Sequence, residues 1–154
     1  MTCLFCKINK GTFPCISIYE NNHCHVIVDK FKLNKGHLLV ISKHHQQSIT
    51  QLSQKERSQL INTASKVIIA MKEVSQEIKD VHLLINDGPG AYQHIPHVHL
   101  HLIPRYQFDL PILITNIFTR YMNPFNYKTN KKIQCWAHQL SHHIKVNSND
   151  ETNC

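Results

Sequence analysis

Residues 97–105 read His97-Val98-His99-Leu100-His101-Leu102-Ile103-Pro104-Arg105. Histidine and aliphatic side chains alternate with a period of two, the period at which an extended chain sends successive side chains to opposite faces. The run is therefore predicted as a β-strand with His97, His99 and His101 on one face and Val98, Leu100 and Leu102 on the other. Same-face Cα atoms lie roughly 6.6 Å apart in a strand. Neighbouring imidazoles can thus act on one small ligand while the aliphatic side anchors the strand in a core. From residue 88 to 108 there is no Asp or Glu, whereas Arg105 and four histidines are present, a balance that favours an anionic ligand.

Upstream, three short runs rich in Ile and Val cover residues 15–20, 25–29 and 37–42. They are separated by Asn21-Asn22 and Asn34-Lys35-Gly36, residue types suited to turns, and read as an antiparallel meander. Ser53 and Glu56 form a capping-box pattern. Leu60, Ala64, Val67, Met71, Val74 and Ile78 then recur at helical spacing, predicting a long amphipathic helix over residues 53–79. Residues 81–86 read as a further strand and Asp87-Gly88-Pro89-Gly90 as a tight loop. Residues 111–122 are apolar without a clean period, residues 123–131 are polar and loop-like, and Ile133, Trp136, Leu140 and Ile144 fit a C-terminal amphipathic helix. The expected fold is α+β: an antiparallel sheet of about five strands, one long central helix and a C-terminal helix. Residues 1–110 are expected to form the domain and residues 111–154 an extension packed on it, with the last ten or so residues frayed.

A chain of 154 residues is long enough for one core. Its most apolar stretch, residues 110–118, is broken by Pro111, Thr115 and Asn116 and falls short of the ~20 residues of a membrane span, so no membrane partner is expected. The opening residues lack the basic-then-apolar layout of a signal peptide, and six scattered cysteines without a secretory signal argue for reduced thiols. Both features predict a cytoplasmic protein. The formal charge of +7 favours anions. Much of the excess sits at Lys128, Lys131, Lys132 and Lys145, where a solvated surface is a better reading than a nucleic-acid contact.

Transfer at a phosphorus centre needs a nucleophile, a cradle for the non-bridging oxygens and a proton for the leaving group, and imidazoles can supply all three. His99 has same-face neighbours on both sides and is the natural nucleophile, one ring nitrogen attacking while the other donates to a fixed acceptor. His101 would sit beside the phosphate oxygens. Competing readings are three structural histidines on a half-buried strand, or bare metal binding by the three rings.

The alternating row resembles the signature of the histidine triad family, and other landmarks follow in the expected order: Cys3-Leu4-Phe5-Cys6-Lys7-Ile8, Gly36-His37-Leu38-Leu39-Val40-Ile41, Asn86-Asp87-Gly88 and Gln93. The resemblance covers roughly the first 105 residues and is strongest for the zinc-containing bacterial-type branch. It implies the histidine triad fold, catalysis by His97, His99 and His101 with His99 becoming nucleotidylated, Asn86 and Gln93 at the phosphate, and Asp29 at ribose hydroxyls. It also implies a purine nucleotide or nucleotide conjugate as ligand and a homodimer that merges sheets across a two-fold axis. His94 departs from the pattern, because many relatives carry a small hydroxyl residue there, near the leaving group; amine and phosphate leaving groups both stay open.

Cys3 and Cys6 have the gap that lets two thiolates close on one tetrahedral ion, with Phe5 covering it from water; a redox pair or two buried thiols have the same spacing. The resemblance implies structural zinc, completed by His45 and His97. Magnesium would accompany a polyphosphate substrate. Cys135, His138 and His142 share a helical face and, with Cys154, offer a second cluster that helical spacing alone explains.

The sequence thus implies a hydrolase or nucleotidyl transferase that cleaves a nucleoside monophosphate from an amine, phosphate or second nucleotide through His99. Two other classes compete with it. One is a nucleotide-binding or interaction protein with vestigial hydrolysis; the other is a zinc-dependent nucleic-acid module.

Overall fold

The computed structural model describes residues 3–122 and 131–150. In chain order these form α1 (Leu4–Asn9), β1 (Ser17–Glu20), β2 (Cys24–Val28), β3 (Leu38–Ser42), α2 (Gln54–Val74), β4 (Asp80–Ile85), β5 (His99–Arg105), α3 (Leu110–Met122) and α4 (Lys131–Asp150). The strands make one antiparallel sheet in the order β1-β2-β3-β5-β4. No helix among the described residues is long and apolar enough to cross a membrane.

Period-two alternation divides the sheet into two faces. Val26, Leu38, Val40, Val98, Leu100 and Leu102 point to one side, where Leu60, Ala64, Val67 and Met71 of α2 and Ala137, Leu140 and Ile144 of α4 bury them completely or nearly so. Full burial of each such aliphatic side chain contributes about 1.5–3 kcal/mol, so this layer holds the domain together. The opposite face carries Ile27, Leu39 and Ile41 under Phe5 and Ile8 of α1. The register sets Ile41 against His99 and Leu39 against His101. The histidine row therefore shares the face covered by α1.

Several boundaries differ from the sequence expectation. The capping box forms as expected, Ser53 N–H donating to Glu56 and Glu56 N–H to Ser53 Oγ. The helix, however, ends at Val74 instead of continuing to residue 79. Ser75 turns extended, with φ −141° and ψ 99°, and Ile78 is buried from the turn that leads into β4. The histidine strand begins in ladder terms at His99. His97 and Val98 precede it, with Val98 N–H bonded to the Gln46 carbonyl at 2.8 Å. Pro104 lies inside β5, beyond the span paired with β3, where β4 alone flanks the strand, so its missing N–H costs no ladder bond on that side.

Two helices were not expected, α1 and α3. Asp109 starts α3: its carboxylate receives Arg105 Nη2 at 2.7 Å, Asn34 Nδ2 at 2.6 Å and Tyr106 N–H at 2.8 Å. Arg105 beside it holds its carboxyl down at about 2. Helix α4 extends to Asp150 and packs on α2 and β1; residues 123–130 and 151–154, including Pro124 and the end of the expected frayed tail, lie outside the described residues. Gly36, at φ +76°, joins this helix to the sheet: a Cβ there would stand 3.2 Å from the Trp136 ring.

Candidate active site and metal centre

On the α1 side of the sheet lies a cavity of about 530 Å³. Its wall includes His99 and His101 from β5, Asp29 and Phe31 from the β2–β3 connection, Phe5 and Ile8 from α1, and Asn86, Tyr92 and His94 from the β4–β5 loop. His99 and His101 are each about 95 % buried, being 5 % and 4 % exposed, and their ring centres stand 4.9 Å apart. Phe5 packs edge-on to His99 at 4.9 Å and to His97 at 5.8 Å, so all three rings stand on one side of the strand.

Hydrogen bonds assign the tautomers. His99 Nδ1 lies 2.7 Å from the His97 carbonyl, which only accepts; Nδ1 therefore carries the proton and Nε2 the lone pair. Next to it, Leu33 N–H donates to His37 Nδ1 at 3.0 Å. His37 then donates through Nε2 to His101 Nδ1, also at 3.0 Å, leaving His101 Nε2–H as a donor. His37 is fully buried and holds this relay in place. Sequence reasoning quoted His37 as a landmark without giving it a role; its parity with Leu39 and Ile41 on β3 was the available signal, because that parity puts it on the histidine face.

Asp29 follows β2 directly. Its Oδ1 receives Phe31 N–H at 2.8 Å, whereas the buried Oδ2 takes no hydrogen bond from any described residue. That oxygen is 3.5 Å from His37 Nδ1 and 3.9 Å from His101 Nδ1. A buried carboxylate oxygen left without a donor is costly, and a ligand hydroxyl relieves the cost.

Asn86 sits just past β4, lines the cavity and donates to the Tyr92 carbonyl at 3.4 Å. Gln93 is not on the wall. Its Oε1 accepts Gly88 N–H at 3.0 Å and its Nε2 donates to the Gln47 carbonyl at 2.8 Å, so the side chain braces the loop from inside. Gly88 makes this turn with φ +94°, a conformation that favours glycine. Asp87 pins the same loop through Ile49 N–H and Ser48 Oγ.

His97 is fully buried, is not on the cavity wall and stands beside Cys3 and Cys6 at the start of α1. Its Nδ1 lies 3.3 Å from Cys3 Sγ, 3.6 Å from Cys6 Sγ and 3.1 Å from His45 Nδ1, and Cys6 Sγ lies 3.3 Å from His45 Nδ1. All four ligand atoms fall within 4.8 Å of one another. A tetrahedral zinc ion, with Zn–S about 2.3 Å and Zn–N about 2.0–2.1 Å, separates its ligands by roughly 3.3–3.8 Å, so the donor set and spacing fit such an ion. His97 Nε2–H donates to the Ser42 carbonyl at 2.8 Å, which turns the Nδ1 lone pair toward the cluster in the manner of metal-bound histidines. Burial pushes the His97 pKa down, favouring the neutral ring that a metal needs. His44 points elsewhere, to Glu56 at 2.8 Å. Cys135, His138 and His142 form no such group among the described residues, and Cys154 lies outside them.

Residues 10–108 match the HIT domain family model. The chain is 35 % identical over 105 residues to the adenosine 5′-monophosphoramidase of Schizosaccharomyces pombe, covering 68 % of this chain and 75 % of that protein. It is 36 % identical over 109 residues to an adenylylsulfatase of Arabidopsis thaliana, covering 70 % and 54 %. A crystal structure of a zinc-bound histidine triad family protein from Mycobacterium smegmatis superposes with a TM-score of 0.79 at 25 % identity, over 97 % of this chain and 98 % of that one.

Proposed function

Because the chain belongs to the histidine triad (HIT) family, we propose that it is a nucleotide hydrolase or nucleotidyl transferase. It cleaves a nucleoside monophosphate from an amine, a phosphate or a second nucleotide through a covalent nucleotidyl-His99 intermediate. The bond from His99 Nδ1–H to the His97 carbonyl carries this reading. It fixes the tautomer and orients the ring with its Nε2 lone pair at the wall of a ligand-sized cavity, which is what a nitrogen nucleophile requires. His101 donates Nε2–H to the non-bridging oxygens as negative charge builds on them. His97 acts through its carbonyl on His99 and with its ring on the metal. Asp29 Oδ2 accepts sugar hydroxyls, Asn86 reaches the phosphate, and the apolar wall from Phe5 to Phe31 holds the base, a purine in keeping with the adenosine 5′-monophosphoramidase and the adenylylsulfatase among the relatives. Gln93 acts by bracing the loop.

Zinc bound by Cys3, Cys6, His45 and His97 would be structural, tying α1 to the start of the histidine strand. Magnesium would arrive with a polyphosphate substrate. We also read the protein as a homodimer: β4 is a sheet edge on which Leu83 and Leu84 stay 45 % and 44 % exposed, and an apolar edge of this kind pairs readily with a second copy. The described cysteines, Cys3, Cys6, Cys15, Cys24 and Cys135, form no disulfide, and we read the protein as cytoplasmic, where thiols stay reduced.

An adenosine phosphoramidate labelled at phosphorus tests the proposal. Wild-type protein should release adenosine monophosphate and trap label on quenching, and His99→Ala should do neither. Tight nucleotide binding without label or turnover in the wild type would make the protein a binder instead.

A further inference from the structure

We propose that His94 is the proton donor for the departing group and the proton acceptor for the incoming water. The inference rests on His99 being the nucleophile. Three imidazoles line the cavity: His94, His99 and His101. His99 uses its lone pair to bond phosphorus, and the His37 relay presents His101 Nε2–H as a donor to phosphate oxygens. The carboxylate on the wall, Asp29, stands with Lys30 and Lys32 at the β2–β3 connection, while His94 comes from the β4–β5 loop. That loop holds its backbone from both sides. Gln93 Nε2 is tied to the Gln47 carbonyl, and His97 N–H and Val98 N–H are tied to Ile95 and Gln46.

Between Gly88 and His94 the chain passes through Tyr92 at φ +60°, a left-handed conformation that a bulky residue seldom adopts. The turn folds the Gln93 amide into the loop and leaves Tyr92 and His94 on the cavity wall. His94 is exposed to solvent, so the attacking water can reach it.

In the first step His99 Nε2 bonds to phosphorus, the bond from phosphorus to the leaving nitrogen or oxygen breaks, and that atom takes the proton of the His94 imidazolium. In the second step a water oxygen bonds to phosphorus, the His99–phosphorus bond breaks with its electron pair returning to Nε2, and neutral His94 takes the water proton. The imidazolium is regenerated, and atoms and charge balance over the cycle.

The test compares two substrates with the same nucleotide: the adenosine 5′-phosphoramidate of an alkylamine, whose nitrogen must be protonated to leave, and the 4-nitrophenyl ester of adenosine monophosphate, whose phenolate leaves without a proton. General acid catalysis contributes on the order of 10²–10⁴-fold. His94→Gln should therefore lower kcat/KM, which reports the first step alone, on the order of 100-fold or more for the phosphoramidate and about threefold or less for the ester, while breakdown of the labelled His99 adduct slows by the same factor whichever substrate formed it. His94→Asn repeats the comparison should the glutamine variant fail to melt like the wild type. Equal losses of kcat/KM on both substrates, no loss on either, or an adduct that breaks down at the wild-type rate would overturn the assignment. A wild-type chain that turns over neither substrate and takes no label at His99 would instead overturn the nucleophile reading beneath it.

Discussion

His37 is out of reach of any substrate, yet it decides which nitrogen of His101 faces one. Replacing it with leucine leaves Leu33 N–H without an acceptor and His101 free to change tautomer. Residues in such supporting positions typically cost about 10–100-fold when lost. We expect His37→Leu to lower kcat within that range with KM little changed, and His37→Gln, which keeps an acceptor and a donor, to recover much of the loss; steady-state kinetics on the phosphoramidate decide. The histidine row and the cysteine pair were legible in the sequence because each is a local spacing rule. The relay through His37 and the inward turn of Gln93 were not, because each depends on a partner far along the chain, 64 residues away for His37 and 46 for Gln93.

Helix α1 is too short to be stable by itself, and the sequence offered no periodic signal for it. It is held by Phe5 and Ile8 against the sheet and by Cys3 and Cys6 beside His97 and His45. Purified protein should carry one zinc per chain, and Cys3→Ser with Cys6→Ser should carry none. Chelation should speed amide exchange over residues 4–9 and weaken turnover, since Phe5 also packs on His99; unchanged exchange would separate α1 from the metal. Helix α3 escaped sequence reading for a different reason. Leu110, Ile112, Ile114, Ile117 and Phe118 are all at least 42 % exposed, so its apolar residues do not mark one buried stripe. The long helix was read correctly in register but overextended, because Ile78 keeps the helical spacing while being buried from a turn.

For the molecule as a whole, the architecture was predictable because alternation, capping and turn residues agreed with one another; the edge left open at β4 became visible only with the strand order. Leu83→Lys with Leu84→Lys should convert a dimer to a monomer in light scattering. Acid should weaken the fold through His97 and His25, whose pKa values burial pushes below the usual 6.5. The unfolded chain then binds protons more readily than the folded one, so this stability is complete above about pH 6.5 and drains away as pH falls below it. Calorimetry between pH 7.5 and 5.5 should show a falling Tm, while the Arg105–Asp109 pair, with Asp109 held at about 2, stays intact. Finally, the lone Oδ2 of Asp29 makes the cleft a judge of sugars. A deoxynucleotide brings a C–H where that oxygen calls for an O–H and leaves it stranded, so this one atom would steer the protein toward ribonucleotides.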